Sequence, residues 1–589
     1  MMSPADTSSE SGANANREQL VSAAIVLPVA VAVVLVVFGE GRVGAGIAAV
    51  APGMLIGYAI AAARGDGMRA IRRGVQLGFL ALFFMLFFAA TFPLHSYIVP
   101  DLFLRADPLA ALSVMLGRSG AELARMWPAL VIVALTVLLG RVFCGWVCPL
   151  GTSIDISDHF LFRRIRRSAR VRIPALKYYV LVAALVAALL SVQVGHYVDP
   201  IPLLTRAVAL VFHPIGVLAY NSAIGASASA GDSLAGSSAG SVAGIGEALK
   251  SVRSYYSPSL TFRTSIIAFI IFVVVLGLSA YGRRFWCRNV CPLGALLAVL
   301  GRYGLLKRIV TDDCTECMRC VAECKMAAVL EDPHGTVLRE CIQCWDCTCV
   351  CPEDANPIAW TACAKSEADQ VELGLNRRRL LQGIVGGGSY ALLAQTAAAR
   401  THRSEKLIRP PGAMHIMAAA GLTDKPYTEA DFLATCIRCG ECMKACITNC
   451  LQPAVGEGGW EAFWTPIVVP RIGYCEKVCN ICGTVCPTGA LRFFYIAEKE
   501  DLIIGTAVIN KNTCMAWYDD RACAACDEAC HYKAVEVLPI AQERPDGRVV
   551  VQKRPVVYED KCTGCGECEK ACPVKPEAAI VVYAPEKQQ

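Results

Sequence analysis

Two runs of cysteines lie close together in the middle of the chain: Cys314-Thr-Glu-Cys317-Met-Arg-Cys320-Val-Ala-Glu-Cys324 and Cys341-Ile-Gln-Cys344-Trp-Asp-Cys347-Thr-Cys-Val-Cys351-Pro352. Both place four cysteines at the spacing C-x2-C-x2-C-x3-C. Four thiolates at this spacing bind one [4Fe-4S] cubane, and in two-cluster ferredoxins the fourth cysteine of each run serves the other cluster. We therefore expect Cys351 to complete the first cluster and Cys324 to complete the second.

Four more quartets occur further along the chain. They are Cys436/Cys439/Cys442/Cys446, Cys475/Cys479/Cys482/Cys486, Cys514/Cys523/Cys526/Cys530 and Cys562/Cys565/Cys568/Cys572. Two of them depart from the regular spacing, because Cys475 and Cys479 are one residue further apart and a loop with Trp517 and Tyr518 separates Cys514 from Cys523. The quartets together predict about six [4Fe-4S] clusters. A disulfide framework or zinc ribbons would not need this repeated ligand spacing.

The hydrophobic residues, 55% of the chain, are concentrated before residue 300. Apolar runs near 20–38, 45–63, 75–92, 127–143, 174–193 and 264–281 have about the length that crosses a bilayer. A further run, 201–219, contains Arg206 and His213, so we expect an interfacial or re-entrant segment. The predicted fold is an α-helical polytopic membrane domain of about six spans, 20–303, followed by two α+β ferredoxin-like [4Fe-4S] domains with two and then four clusters.

Arginines indicate the orientation of the membrane part. They gather between the second and third runs, between the fourth and fifth, and after the sixth, which predicts that these loops are cytoplasmic. The polar tail 1–19 is then a disordered cytoplasmic segment, and the loop 194–263 is external. The net charge of +6 follows this topology, so we expect contact with membrane lipid and no nucleic acid.

Two similar motifs follow the fourth and sixth runs. One is Arg141-Val-Phe-Cys144-Gly-Trp-Val-Cys148-Pro149, and the other is Arg284-Phe-Trp-Cys287-Arg-Asn-Val-Cys291-Pro292. Cysteines four residues apart share one helix face, so the two pairs can present four thiols to each other. Buried small residues at helix ends, a disulfide pair, a shared cluster or metal site, and the lining of a quinone site are all open interpretations.

A possible export signal divides the two ferredoxin segments. Asn376-Arg377-Arg378-Arg379-Leu380-Leu381 precedes a mildly hydrophobic stretch that ends in small residues near 399. Paired arginines in this setting indicate a twin-arginine signal at 370–400, which forms a seventh span or is cleaved. Residues 304–363 would then be a cytoplasmic two-cluster domain and 401–589 a periplasmic four-cluster domain. An ordinary cytoplasmic linker helix with a basic start is the alternative.

With these motifs, the chain resembles two ferredoxin families joined end to end. Residues 20–365 resemble the NapH/MauN membrane ferredoxins, and residues 370–585 resemble the NapG/MauM exported ferredoxins. The resemblance implies a bacterial inner-membrane, multi-pass protein that passes electrons from the quinol pool toward a periplasmic partner, either a c-type cytochrome or a metalloenzyme. It also implies that the first of the four later quartets interlocks with the last, and the second with the third.

The predicted function is membrane-anchored electron transfer, and the chain is a possible quinol dehydrogenase component or otherwise a carrier. The alternatives are an electron-supplying maturation factor for a periplasmic metalloenzyme and outward transfer from a cytoplasmic donor. No nucleotide, flavin or covalent haem motif is present. Five polar residues in or near the outer loops are candidate acceptors of quinol protons: His95, Asp101, His196, Asp199 and His213. Cys349, Cys363 and Cys450 stand outside the quartets and receive no role.

Overall fold

The computed structural model describes residues 67–91, 99–117, 123–162, 176–219, 221–222, 260–361, 377–395, 406–413, 428–543 and 549–585. The predicted tail 1–19, the predicted spans 20–38 and 45–63, and Cys363 lie outside these residues. The described residues form two compact units. The first unit consists of the described residues up to Ala89 and of those in His95–Leu204 and Ile271–Ala391. The second unit consists of the described residues in Ala90–Leu94, Thr205–Ile270 and Leu392–Gln589.

The first unit is mostly helical before the first quartets. Its helices, some of which continue beyond the unit, are Gly67–Ala89, Leu102–Arg105, Pro108–Gly117, Trp127–Leu139, Pro149–Phe160, Leu176–Leu189, Pro200–Ala207, Ser265–Gly277, Phe285–Asn289 and Pro292–Gly301. A π-helical turn, Phe143–Val147, lies just before Pro149. Apolar faces bury side chains such as Leu82, Phe87 and Leu150, which are at most 2% exposed. Burial of these faces holds the helices together.

The prediction of about six membrane spans is wrong. In the part of the chain that the structure describes, two helices are long and apolar enough to cross a membrane, Met68–Ala89 and Pro200–Ala219. The helices in the predicted spans 127–143, 174–193 and 264–281 belong to a set only 10–17 residues long, whereas a span needs about 20 residues. Gly140, with φ +78°, ends the Trp127–Leu139 helix before the predicted length is reached. The second long helix is the run that the sequence predicted to be interfacial or re-entrant.

The two-quartet segment of the first unit is held by a short antiparallel strand pair, Leu306–Arg308 with Ile358–Trp360. Short helices Arg319–Glu323 and Asp346–Cys349 begin inside the two quartets. Val329 and Thr336 form a single antiparallel bridge across the turn at Gly335, at the place where two short strands were predicted. Trp345 is fully buried at the centre of this segment.

The helix Arg377–Gln395 lies within the segment 370–400 that was predicted to be a twin-arginine signal. It packs closely on the helix Leu176–Leu189 through glycines, because a Cβ at Gly387 would lie 2.4 Å from the carbonyl oxygen of Ala183. A Cβ at Gly383 would lie 3.4 Å from the carbonyl oxygen of Tyr179. Small residues four apart let two helix backbones approach each other in this way.

The second unit contains the other four quartets, short helices and paired strands. The helices are Glu429–Thr435, Glu441–Ala445, Ile481–Thr484, Met515–Tyr518, Ala525–Glu528 and Glu567–Ala571. The antiparallel strand pairs are Leu451–Pro453 with Pro466–Val468, Thr506–Ile509 with Ile580–Tyr583, and Val535–Glu543 with Val549–Val557. Since each strand pair brackets or follows a quartet, the strands fix the ends of the cysteine loops.

Candidate iron-sulfur centres

The four regular quartets share one backbone path. In each of them, the residue before the second cysteine and the residue after it have left-handed φ values, from 51° to 88°. These pairs are Glu316 and Met318, Gln343 and Trp345, Arg438 and Gly440, and Gly564 and Gly566. A left-handed non-glycine residue costs about 1–3 kcal/mol and persists only where the surroundings impose it. The repeated turn therefore indicates a loop shaped to wrap a common object.

In the first unit, the second run of cysteines surrounds a small recess together with a cysteine of the first run. The recess is lined by Cys341, Cys344, Cys347 and Cys324. The thiol of Cys320 lies 3.6 Å from the guanidinium of Arg308 and close enough to Cys314 and Cys317 for each to raise its pKa. The crossing of Cys324 to the later run is the arrangement expected of a two-cluster ferredoxin.

In the second unit, the fourth cysteines also cross between neighbouring quartets. One recess is lined by Cys436, Cys439 and Cys442 with Cys486, and another by Cys562, Cys565 and Cys568 with Cys530. The thiol of Cys446 raises the pKa of both Cys479 and Cys482. Cys572 packs with Cys514 and Cys523. The first quartet of this unit therefore interlocks with the second, and the third with the fourth.

This pairing differs from the expectation that the first quartet interlocks with the last. The physical reason is helix packing, since Glu441–Ala445 contacts Ile481–Thr484 and Ala525–Glu528 contacts Glu567–Ala571. Each of these short helices carries the third cysteine of a quartet. Contact between the helices brings the following cysteine of each quartet toward the partner quartet.

The donor set fits [4Fe-4S] cubanes. Backbone N–H groups donate to the Sγ atoms of fourth cysteines in four quartets: Ala328 to Cys324 at 3.2 Å, Leu491 to Cys486 at 3.3 Å, Ala534 to Cys530 at 3.2 Å and Ala579 to Cys572 at 3.3 Å. Such bonds stabilise thiolate charge and tune cluster potentials. Among the described residues, no group of three or more His, Cys, Asp or Glu side chains is arranged to hold a single metal ion. A cubane spreads its four thiolates more widely than one ion does.

Burial makes these thiols poor acids without iron. It raises the pKa of Cys439 and of Cys482 well above the usual thiol value. A metal-bound thiol is nevertheless deprotonated outright. Cluster insertion therefore has to expel protons from these sites, which links cluster binding to folding and to pH.

Two buried cations that the sequence analysis did not single out lie beside quartets. Lys499 donates to the carbonyl oxygen of Cys479 at 2.6 Å, and the neighbouring Cys475, Cys482 and Cys479 raise its pKa. Arg308 contacts Cys320 and also donates to the Pro333 carbonyl at 2.8 Å. Neither residue belongs to a motif, so no spacing signal could have predicted its position.

A cysteine outside the quartets touches a proposed ligand. The Sγ atoms of Cys450 and Cys446 are 3.5 Å apart. Hydrogen bonding from Cys450 lowers the pKa of Cys446 to about 6, and the same contact raises that of Cys450. Cys349 ends the short helix Asp346–Cys349.

Four buried polar side chains form a network in the first unit. The His196 ring contacts Asp199 Oδ2 through Nδ1 at 3.2 Å and Ser113 Oγ through Nε2 at 2.8 Å. Asp107, which the sequence analysis did not name, interacts with Asp199. Asp107, His196 and Asp199 are all 0% exposed. Burial, and then the Asp199 charge, raises the pKa of Asp107 well above its usual value, which favours the protonated form of this carboxyl.

The other candidate proton acceptors are placed apart from this network. Asp101 forms an ion pair with Arg105 at 2.7 Å, and His213 lies within the helix Pro200–Ala219. His95 lies outside the described residues. Among the four of these residues that the structure describes, only His196 and Asp199 are brought together.

The four cysteines of the C-x3-C-P motifs lie in the first unit. Cys144 and Cys287 pack against one apolar patch formed by Met326, Ala328 and Ile342. Cys324, Cys341 and Cys344 pack against the same patch. The two motifs thus meet beside one of the quartets.

Comparison with known proteins gives the family. A model described as a 4Fe-4S binding domain matches residues 125–168 and 264–311, and one described as a 4Fe-4S dicluster domain matches residues 521–575. No solved structure matches the chain.

Curated relatives match different parts of the chain. The methylamine utilization ferredoxin-type protein MauM of Methylorubrum extorquens is 36% identical over 215 residues, which cover 35% of this chain and 88% of that protein. The ferredoxin-type protein NapG of Escherichia coli is 35% identical over 218 residues, 35% of this chain and 85% of NapG. The ferredoxin-type protein NapH of the same organism is 28% identical over 275 residues, 44% of this chain and 77% of NapH. The chain therefore belongs to the family of ferredoxin-type [4Fe-4S] electron-transfer proteins that includes MauM and NapG, and it carries in addition a part similar to NapH.

Proposed function

We propose that this protein carries electrons from membrane quinol to a periplasmic oxidoreductase. The observation that carries the proposal is the crossing of fourth cysteines between neighbouring quartets in both units. The twenty-four quartet cysteines, Cys314 to Cys572 as given above, would hold six [4Fe-4S] clusters. When bound, these clusters supply one-electron transfer without proton uptake.

The chain's own thiols and loops set the order of the centres. Because the interlocked quartets share helix contacts, each pair of sites is held at a fixed short separation. The backbone N–H donors and the buried cations Lys499 and Arg308 stabilise the extra negative charge of a reduced centre. Rigid pairs of this kind suit a relay better than a single storage site.

Thr261 and Thr264 pack on the domain that carries the four later quartets. The carbonyl oxygen of Thr261 accepts from Asn449 at 3.1 Å and from Gln452 at 3.0 Å. Trp464 donates to Thr264 Oγ1 at 3.0 Å. The run Arg377-Arg378-Arg379 precedes this domain in the manner of a twin-arginine export signal. On that basis we place residues after about 400 in the periplasm and 304–363 in the cytoplasm.

The buried network of Asp107, His196 and Asp199 supports quinol as the donor. Quinol oxidation releases protons as well as electrons, whereas the clusters take up only electrons. His196 lies between Asp199 and Ser113, so a proton received at the ring can pass to a carboxylate. Asp107 and Asp199 are buried carboxyls in contact, and such a pair holds one shared proton more readily than two negative charges.

Removing the protein after its partner enzyme is assembled distinguishes sustained electron transfer from a role in enzyme maturation. The test removes the protein acutely, by an inducible degradation tag, from cells whose periplasmic oxidoreductase is already assembled. Sustained carriage predicts that quinol-linked turnover stops as the protein disappears, while the purified oxidoreductase stays active with an artificial donor. Turnover that continues after the protein is gone would refute the carrier role and favour maturation.

A further inference from the structure

Four apolar side chains form an exposed patch on the second unit. They are Val478, Phe493, Tyr495 and Ile496, which are between 40% and 66% exposed. The rings of Phe493 and Tyr495 meet edge to face, with their centroids 5.1 Å apart. Phe494, which lies between them in sequence, is 1% exposed, so the backbone turns one ring inward and two outward. Exposed aromatic rings are typical of the centre of a protein–protein interface.

Two hydrogen bonds fasten the exposed patch to the cysteine loop of the second quartet in this unit. Lys499, in the 3-10 helix Ile496–Asp501, donates to the carbonyl oxygen of Cys479 at 2.6 Å. Asn480 donates to the carbonyl oxygen of Phe494 at 3.0 Å. The segment with the exposed rings therefore lies directly on this loop.

The exposed patch thereby lies beside a proposed redox centre. Val478 directly precedes Cys479, whose thiol lies near those of Cys446 and Cys475. These three cysteines belong to one proposed [4Fe-4S] site. Because electron tunnelling weakens steeply with distance, a partner that covers Val478 would receive electrons over a short path.

The rim of the exposed patch is negatively charged. Glu498 and Glu500 are exposed and Glu476 is half-buried. The cations of the same segment are less accessible, because Lys477 and Arg492 are half-buried and Lys499 is buried. Lys477 is in addition paired with Glu500 at 2.7 Å. An apolar centre inside a polar rim is the usual anatomy of a protein interface, and the negative sign of this rim favours a positively charged partner.

A redox protein suits this surface better than a lipid bilayer does. Bilayer surfaces with anionic lipids attract lysine and arginine and repel carboxylates. Electron-transfer complexes are small, usually with less than about 1,200 Å² of buried surface, so a few apolar side chains with a charged rim provide enough contact.

We propose that Val478, Phe493, Tyr495 and Ile496 form the surface on which the electron acceptor docks, and that this acceptor is a redox protein with lysines around its exposed redox centre. In each encounter the cluster at Cys479 loses one electron and the acceptor's centre gains it, with no proton or further reactant. This inference rests on the proposed function, because it requires that the second unit passes electrons to a periplasmic partner.

The test measures how fast the full-length protein reduces two forms of one probe. The protein is reduced anaerobically with dithionite and freed of excess reductant. Stopped-flow absorbance then follows the reduction of basic cytochrome c and of the same cytochrome after succinylation, which replaces its positive lysines by carboxylates. We expect the basic form to react about tenfold faster at low salt, and high salt to remove most of this difference.

Two matched pairs of variants locate the docking surface. Glu500→Lys should slow the reaction with basic cytochrome c about fivefold at low salt and accelerate that with the succinylated form. Glu559→Lys makes the same change of charge at another exposed residue and should change neither rate. Equal effects of both substitutions would show that only the net charge matters and would overturn the proposed surface.

The second pair removes an exposed ring. Tyr495→Ala keeps the backbone N–H that donates to Glu498 Oε2 at 2.9 Å, and it should slow the reaction about tenfold even at high salt. Tyr518→Ala removes a ring that is 64% exposed and should leave the rate unchanged. A wild-type rate for Tyr495→Ala would contradict docking at the exposed patch.

Hydroxyl-radical footprinting of the unaltered protein in lipid nanodiscs covers the case in which a variant misfolds. Tyr495 should be oxidised as readily as Tyr518 in the protein alone, and cytochrome c should protect Tyr495 only. Protection of Tyr495 before cytochrome c is added would show that lipid or the chain itself covers the exposed patch, and no protection afterwards would place the docking elsewhere. Either result would overturn the inference. Because dithionite supplies the electrons, none of these outcomes affects whether quinol reduces the clusters.

Discussion

The Sγ atoms of Cys450 and Cys446 lie 3.5 Å apart, within hydrogen-bonding distance. A donor to a ligand sulfur stabilises the more negative, reduced cluster. In Cys450→Ala we expect the cluster that involves Cys446 to be harder to reduce, with a potential lower by about 40 mV for a hydrogen bond of about 1 kcal/mol. An EPR-monitored redox titration measures this shift. Cys450→Ser, which keeps a donor, should stay near the wild-type potential, and equal potentials for all three proteins would contradict the assignment.

Cys486 lies with Cys436, Cys439 and Cys442 rather than with the rest of its own quartet. Cys486→Ala should therefore expose those three thiols to alkylation and remove about four irons. Peptide mass spectrometry of protein alkylated in its native state identifies the labelled cysteines.

The converse variant, Cys446→Ala, should instead expose Cys475, Cys479 and Cys482, whose thiols lie near Cys446. Labelling of a variant's own quartet in either case would show that the neighbouring quartets do not interlock.

Gly387 and Gly386 are adjacent glycines with opposite surroundings. A Cβ at Gly387 would lie 2.4 Å from Ala183 O, whereas one at Gly386 would meet nothing within 4 Å. Gly387→Ala should destabilise the packing of the helix Arg377–Gln395 by about 1–3 kcal/mol. Gly386→Ala is the matched control and should be neutral or stabilising by about 0.5–1 kcal/mol. Thermal unfolding in one detergent compares them, and indistinguishable melting temperatures would disprove the close contact.

Asp107 gives the protein a pH-dependent stability. Its pKa in the folded protein is above the unfolded value, so its stabilising contribution is complete below the unfolded pKa, near 4, and is lost as the pH rises toward the folded pKa. The slope is at most about 1.4 kcal/mol per pH unit. Asp107→Asn imitates the protonated carboxyl and keeps an N-cap acceptor for Leu109 N–H, which Asp107 Oδ1 accepts at 2.9 Å.

We therefore expect the melting temperature of Asp107→Asn to fall less between pH 5 and pH 8 than that of the wild type. Quinol should reduce the clusters of Asp107→Asn about 100-fold more slowly than those of the wild type, since the loss of an acid–base group typically costs a factor of this size. The rate of reduction by dithionite should be unchanged. The exposed Asp501→Asn serves as control. A quinol rate equal to that of the wild type would exclude Asp107 from proton transfer.

The ligand role of the quartet cysteines stays a prediction, and it rests on a spacing that is itself the geometry that wraps a cubane. The left-handed turns at Met318 and Trp345 follow from the same spacing. The quartet with which a fourth cysteine interlocks does not follow from the spacing. Spacing along the chain contains no information on which two short helices pack together. The placement of Cys486 beside the first quartet of the second unit therefore differs from the pairing of quartets that the resemblance implied.

The membrane part was predicted less well for a different reason. Hydropathy treats Arg206 as an interruption, but its guanidinium lies 4.1 Å from the Trp464 ring centroid and donates to the Arg438 carbonyl oxygen. A cation satisfied in this way is tolerated in a continuous helix. Conversely, the apolar composition around Leu176–Leu189 does not determine the residue at which the helix ends. Asp107 was missed because its role depends on Asp199, far away in sequence.

Reduction of the clusters by quinol shows directly whether quinol is the electron donor. Membranes with the intact protein, or with Asp107→Asn as control, receive a reduced quinol analogue anaerobically, and low-temperature EPR follows cluster reduction alongside the iron count. We expect quinol to reduce the wild-type clusters rapidly. Fully loaded clusters that quinol leaves oxidised, while a cytoplasmic reductant reduces them, would contradict it.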